Sequence, residues 1–146
     1  MKGTASVQEG RPQALSETFL GKTESGPGFL KRFVLLNKEL NPDSPCHIAA
    51  HLIGDLKDEP EPYVHAHAHP SCDEIGLVIG QPGELEYEIV LGDKVHRLRS
   101  PASVFIPAGT VHRAQAVGGN GAYVCILMDA KGPSSANSQR KSPGVS

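Results

Sequence analysis

A chain of 146 residues with 14 Lys and Arg against 16 Asp and Glu, a net charge of −2, and 38% hydrophobic and 21% charged residues has the make-up of one globular domain, and no basic surface for nucleic acid stands out. It holds no apolar run of about 18 residues, and Met1-Lys2-Gly3-Thr4-Ala5-Ser6 lacks the apolar core of a signal peptide, so no membrane contact and a cytoplasmic location are expected. Cys46, Cys72 and Cys125 are odd in number and far apart, which argues against a disulfide framework or a CxxC zinc site and for free thiols.

In chain order, residues 1–27 are polar and rich in Gly, Ser and Pro, the composition of a flexible N-terminal arm with one short ordered segment around Leu15 to Leu20. Phe29 to Leu36 carries the aromatic and β-branched residues of a strand, and Asn41-Pro42-Asp43-Ser44-Pro45 reads as a turn. Cys46 to Gly54 contains His47 and His51 in HxxxH spacing. On a helix that spacing would suit zinc, but a short segment between Pro45 and Gly54 predicts a strand with both histidines on one side, either structural or lining an interior. Asp55 to Pro62 is a loop.

The stretch Tyr63-Val64-His65-Ala66-His67-Ala68-His69-Pro70-Ser71-Cys72-Asp73-Glu74 places histidines at every second position with a carboxylate beyond. One strand would direct His65, His67 and His69 to the same face, with neighbours roughly 6.6 Å apart and the outer two about 13 Å apart. Two of the three can therefore share an ion, either His67 with His69 or His65 with His67. Cys72 lies between candidate ligands and reads as a small turn residue more readily than as a soft ligand.

Ile75 to Ile79 predicts a buried strand closed by Gly80-Gln81-Pro82-Gly83. Glu84 to Leu91 alternates acidic and apolar residues, a strand whose Glu84, Glu86 and Glu88 face solvent. Gly92-Asp93 turns the chain into Lys94 to Arg99, with His96 exposed. Phe105-Ile106-Pro107-Ala108-Gly109-Thr110-Val111-His112 is an apolar run, a Pro-x-Gly turn and a histidine, so a second strand delivers another imidazole. Arg113 has the opposite parity and faces outward. Gly118-Gly119-Asn120-Gly121 predicts a tight turn into a last strand, Ala122 to Met128, and residues 131–146 form a polar, Pro/Gly/Ser-rich tail expected to be disordered. Short strands without a helical pattern predict an all-β sandwich or barrel.

The two histidine segments together resemble the two motifs of the cupin superfamily. The first family motif, G-x5-H-x-H-x(3,4)-E-x6-G, is similar to His67-x-His69-x4-Glu74, with Gly80 one residue early. The second, G-x5-P-x-G-x2-H-x3-N, is similar to Pro107-x-Gly109-x2-His112, with Pro101 and Ala116 in place of the first Gly and the Asn. The resemblance covers about residues 45 to 128. It implies a double-stranded β-helix, a jelly-roll barrel, over residues 28–130. It also implies one divalent transition metal ion, Fe2+ favoured over Mn2+, Ni2+, Cu2+ or Zn2+, held by His67, His69, Glu74 and His112. His65 then becomes a base or orienting group near the ion, with Tyr63 on the same strand face a second candidate. The function it implies is a mononuclear enzyme acting on a small carboxylate or enolisable substrate, foremost an Fe(II) dioxygenase. The alternatives are an isomerase or lyase of the same fold and a non-catalytic small-ligand binder. Family members also pair through outer faces or N-terminal strands, so a homodimer involving Phe29 to Leu36 is expected.

Overall fold

Alternating apolar and polar positions set the architecture, and every element among the described residues is a strand. The computed structural model describes residues 5–13 and 28–130. In these lie β1 (Arg11–Pro12), β2 (Leu30–Leu36), β3 (Cys46–Leu56), β4 (Cys72–Ile79), β5 (Leu85–Leu91), β6 (Lys94–Arg99), β7 (Ala102–Ile106) and β8 (His112–Asp129). All pairings are antiparallel: the order β1-β2-β3-β8-β4-β7 makes one sheet, while β5 pairs the first half of β8 and carries β6 on its other side. This is an all-β jelly-roll barrel. Among the described residues no helix is long and apolar enough to cross a membrane.

β5 shows how the pattern becomes packing. Leu85, Tyr87 and Ile89 are fully buried, each removal from water contributing roughly 1.5–3 kcal/mol, and the Tyr87 ring stacks on Tyr123 at 4.4 Å and 10°. The intervening glutamates face outward as expected, and Glu88 is engaged there by Arg97 at 3.1 Å and Arg113 at 3.4 Å. His96 is exposed, and the three cysteines are free.

Two expectations change. Gly118 to Gly121 is not a turn between strands, because β8 runs unbroken through it. Gly119 adopts φ 98° and lies so close to the Glu84 carbonyl that a side chain there would collide with it; at this bend β8 passes from pairing β5 to pairing β3 and β4. The His65–His69 stretch is not a regular strand either. Flanked by Pro62 and Pro70, it is joined to the sheet by a single bridge between His67 and His112, and the alternation breaks down: Tyr63 and Val64 are both buried, His65 and Ala66 both exposed. β2 adds to its own chain's sheet, pairing β3 on one edge and, over two residues, β1 on the other. β1 sets Arg11 opposite Val34 and Pro12 opposite Phe33. The segment around Leu15 to Leu20 and the tail 131–146 lie outside the described residues.

Candidate metal centre

The bridge that replaces the expected strand sets the site. His67 and His112 exchange backbone hydrogen bonds of 2.9 and 2.8 Å, which brings their side chains to one side. The Pro107–Thr110 turn, with Gly109 at φ 86°, donates Gly109 N–H to the His69 carbonyl at 2.9 Å and so fixes the third histidine. Ala108 N–H donates to Asp73 Oδ1 at 2.8 Å, tying the same turn to the start of β4, where Glu74 follows.

The outcome is a tight cluster. Ligand atoms of His67, His69 and His112 all lie within 4.8 Å of one another, and the ring centroids are 4.6 to 5.3 Å apart. Glu74, which is 5% exposed, brings Oε1 to 3.3 Å from His69 Nε2 and 3.1 Å from His112 Nε2. Two of the imidazoles have their tautomers set by the backbone. His67 Nδ1 lies 2.8 Å from the His65 carbonyl and His112 Nδ1 2.8 Å from the Thr110 carbonyl. A carbonyl only accepts, so each Nδ1 carries the proton and each Nε2 keeps its lone pair for the cluster.

That leaves Glu74 Oε1 and His112 Nε2 buried, close together and without a hydrogen-bond partner. Two acceptors at this distance repel unless the imidazole protonates or a cation lies between them. Without an ion, burial lowers the His112 pKa but Glu74 and the Thr110 carbonyl outweigh it, so the imidazole is raised. For Glu74, burial is likewise outweighed by His112, Cys125 and His69, and its carboxyl is held below the ordinary range. Three imidazole nitrogens and one carboxylate oxygen match the donor set of a divalent transition ion, which therefore fits the residues present.

The cluster opens into a cavity of about 250 Å³ whose wall also includes Arg32, His51, Tyr123 and Cys125. Cys125 Sγ donates to Glu74 Oε2 at 3.2 Å, and burial, reinforced by Glu74, pushes its thiol far up, so it stays protonated. His51 Nε2 lies 2.7 Å from Arg32 Nη1. Arginine only donates, so His51 is neutral and accepts there; burial and the Arg32 charge lower its pKa to about 3.

His67, His69, Glu74 and His112 are thus brought together, whereas His65 and Tyr63 are not among the residues lining the cavity. His65 is exposed and serves the cluster through its backbone carbonyl. Tyr63 is 6% exposed and does not share a face with His65. Its hydroxyl accepts from Ala116 N–H at 2.7 Å, its ring meets Phe29 edge-on at 5.5 Å, and burial pushes its pKa up to about 12. Of the HxxxH pair, His51 lines the cavity and His47 does not. Arg32 went unmarked in the sequence, although parity alone would have flagged it, since it shares the inward side of β2 with buried Leu30 and Val34.

No protein-family model matches the sequence, and no curated protein does. Solved structures do match the fold. A predicted oxalate decarboxylase from Thermotoga maritima superposes with TM-score 0.61 at 18% identity, over 86% of this chain and 100% of that one. A cupin 2 conserved barrel domain protein from Rhodopseudomonas palustris gives 0.53 at 16% over 86% and 74%. KdgF from a Halomonas species gives 0.51 at 16% over 73% and 85%. At such identities the likeness is one of fold.

Proposed function

We propose that this chain, which has the cupin fold, is a mononuclear metal-dependent enzyme acting on a small organic acid or enolisable substrate, foremost an Fe(II) dioxygenase. The observation that carries the metal is the buried, unpartnered pair Glu74 Oε1 and His112 Nε2 inside a cluster of three imidazoles. Four protein donors leave coordination positions free, and the adjoining cavity gives a ligand room to reach them. When bound, the ion supplies Lewis acidity and, as iron, one-electron chemistry with dioxygen. The chain's own residues do the rest. The His65 and Thr110 carbonyls fix two ligand tautomers, Cys125 holds the far oxygen of Glu74, and Arg32 brings a positive charge to the cavity wall.

Elemental analysis of anaerobically purified protein, coupled to oxygen-uptake assays over small hydroxy and oxo acids, tests this reading. Close to one transition-metal ion per chain is expected, lost in His67→Ala and in His112→Ala and retained in His65→Ala. Full metal in both of the first two variants would sink the assignment. Loss in His65→Ala would favour the frame that pairs His65 with His67. Turnover without oxygen uptake would shift the reaction to an isomerase or lyase; bound metal with no turnover at all would favour a ligand-binding protein.

A further inference from the structure

We infer that the cavity is built for a small dianionic acid, one end meeting the histidine cluster and the second carboxylate lying on Arg32. The inference rests on the metal reading above and names the substrate class for that site. Arg32 is partly buried on the inward side of β2, where its neighbours in alternation, Leu30 and Val34, are core residues. A guanidinium in such a place is costly unless a counter-charge meets it. Its partners are two neutral acceptors: Gln13 Oε1 takes its Nε–H at 2.8 Å, and His51 Nε2 lies 2.7 Å from Nη1. Among the described residues no carboxylate lies within ion-pair distance of it.

These two contacts hold the guanidinium in place without neutralising it. Among the described residues the one carboxylate on the cavity wall is Glu74, already committed to the cluster, and the Cys125 thiol beside it is protonated. A divalent ion, Glu74 and Arg32 together leave two positive charges, which a dianion cancels. Arginine gives a carboxylate charge-assisted N–H bonds, and Arg32 retains Nη2 for one among the described contacts. The cavity of about 250 Å³ lies below the ~300–1,000 Å³ usual for drug-sized ligands, so the acid must be short.

The test is calorimetric binding of two acids of nearly equal length: malate, which carries a second carboxylate, and 2-hydroxybutyrate, which lacks it. Metal-loaded wild-type protein is expected to bind malate at least about tenfold more tightly, the worth of one charge-assisted pair. Arg32→Gln should bring the two affinities to within about twofold with metal content as in wild type, and Arg32→Lys should restore part of the preference. Equal binding of the two acids by wild type, which needs no variant, overturns the inference, as does an unchanged ratio in Arg32→Gln. The same pair measured on metal-depleted protein separates the two readings. Absence of metal from freshly purified protein and failure to take it up would defeat the metal assignment. A malate preference persisting there and vanishing in Arg32→Gln would still uphold the role of Arg32.

Discussion

Cys125 shows how much of the site depends on a residue that cannot reach the ion position through a ligand motif. Its thiol fixes Glu74 Oε2, leaving Oε1 directed between His69 and His112. Cys125→Ala should weaken metal affinity by roughly ten- to a hundredfold in chelator competition, while Cys125→Ser, which keeps a donor, should lose less; equal affinities in all three proteins would contradict this. His51 gives a pH prediction. With its folded pKa near 3 against an ordinary 6.5, the unfolded chain binds a proton between those values that the folded chain refuses. Stability therefore falls as the pH drops from about 6.5 towards 3, by at most about 1.4 kcal/mol per unit. His51→Gln keeps an acceptor for Arg32 and removes that slope. Urea unfolding of metal-depleted protein at about pH 6.5 and about pH 5 should show a loss up to about 2 kcal/mol smaller in the variant. The histidines and Glu74 were legible as candidates because their spacing is local. The Arg32–His51 contact was not, because it depends on the register of β2 on β3, which alternation alone leaves open.

At the level of elements, apolar alternation identified β5 and the Gly92-Asp93 turn identified β6, each to within a residue. The misreadings came where backbone geometry overrides composition. Four residues of Gly and Asn look like a turn, yet in β8 they are the bend of a continuous strand, and nothing local distinguishes the two. Alternating histidines look like a strand, yet between the flanking prolines only isolated bridges form, His67 with His112 among them. A quieter glycine carries an element-scale prediction. Gly76 on β4 lies directly under the Tyr123 hydroxyl, which an added methyl group would strike. Gly76→Ala should cost about 1–3 kcal/mol in urea unfolding and displace a wall of the cavity. Gly54→Ala, with nothing within 4 Å of the added carbon, should stay within about 0.5 kcal/mol of wild type. Equal stabilities would refute the close packing at Gly76.

For the whole molecule, the all-β barrel was readable because short strands between Gly, Pro and Asn turns admit few architectures. How the N-terminal segment docks was not, since its composition is that of a linker. Assembly remains a proposal: a homodimer using the half-buried outer positions Phe33 and Leu35 of β2 would appear in light scattering and dissociate on Phe33→Glu with Leu35→Glu. A monomeric wild type would end it. The docked segment also bears on how the protein is handled. Gln13 holds Arg32 twice, through its side chain at 2.8 Å and by donating its N–H to the Arg32 carbonyl at 3.0 Å. A fragment trimmed to begin at residue 28 would keep every histidine, Glu74 and the barrel core. It would nevertheless have surrendered one of the two struts that aim its guanidinium, so its choice between acids is where the missing segment would be felt.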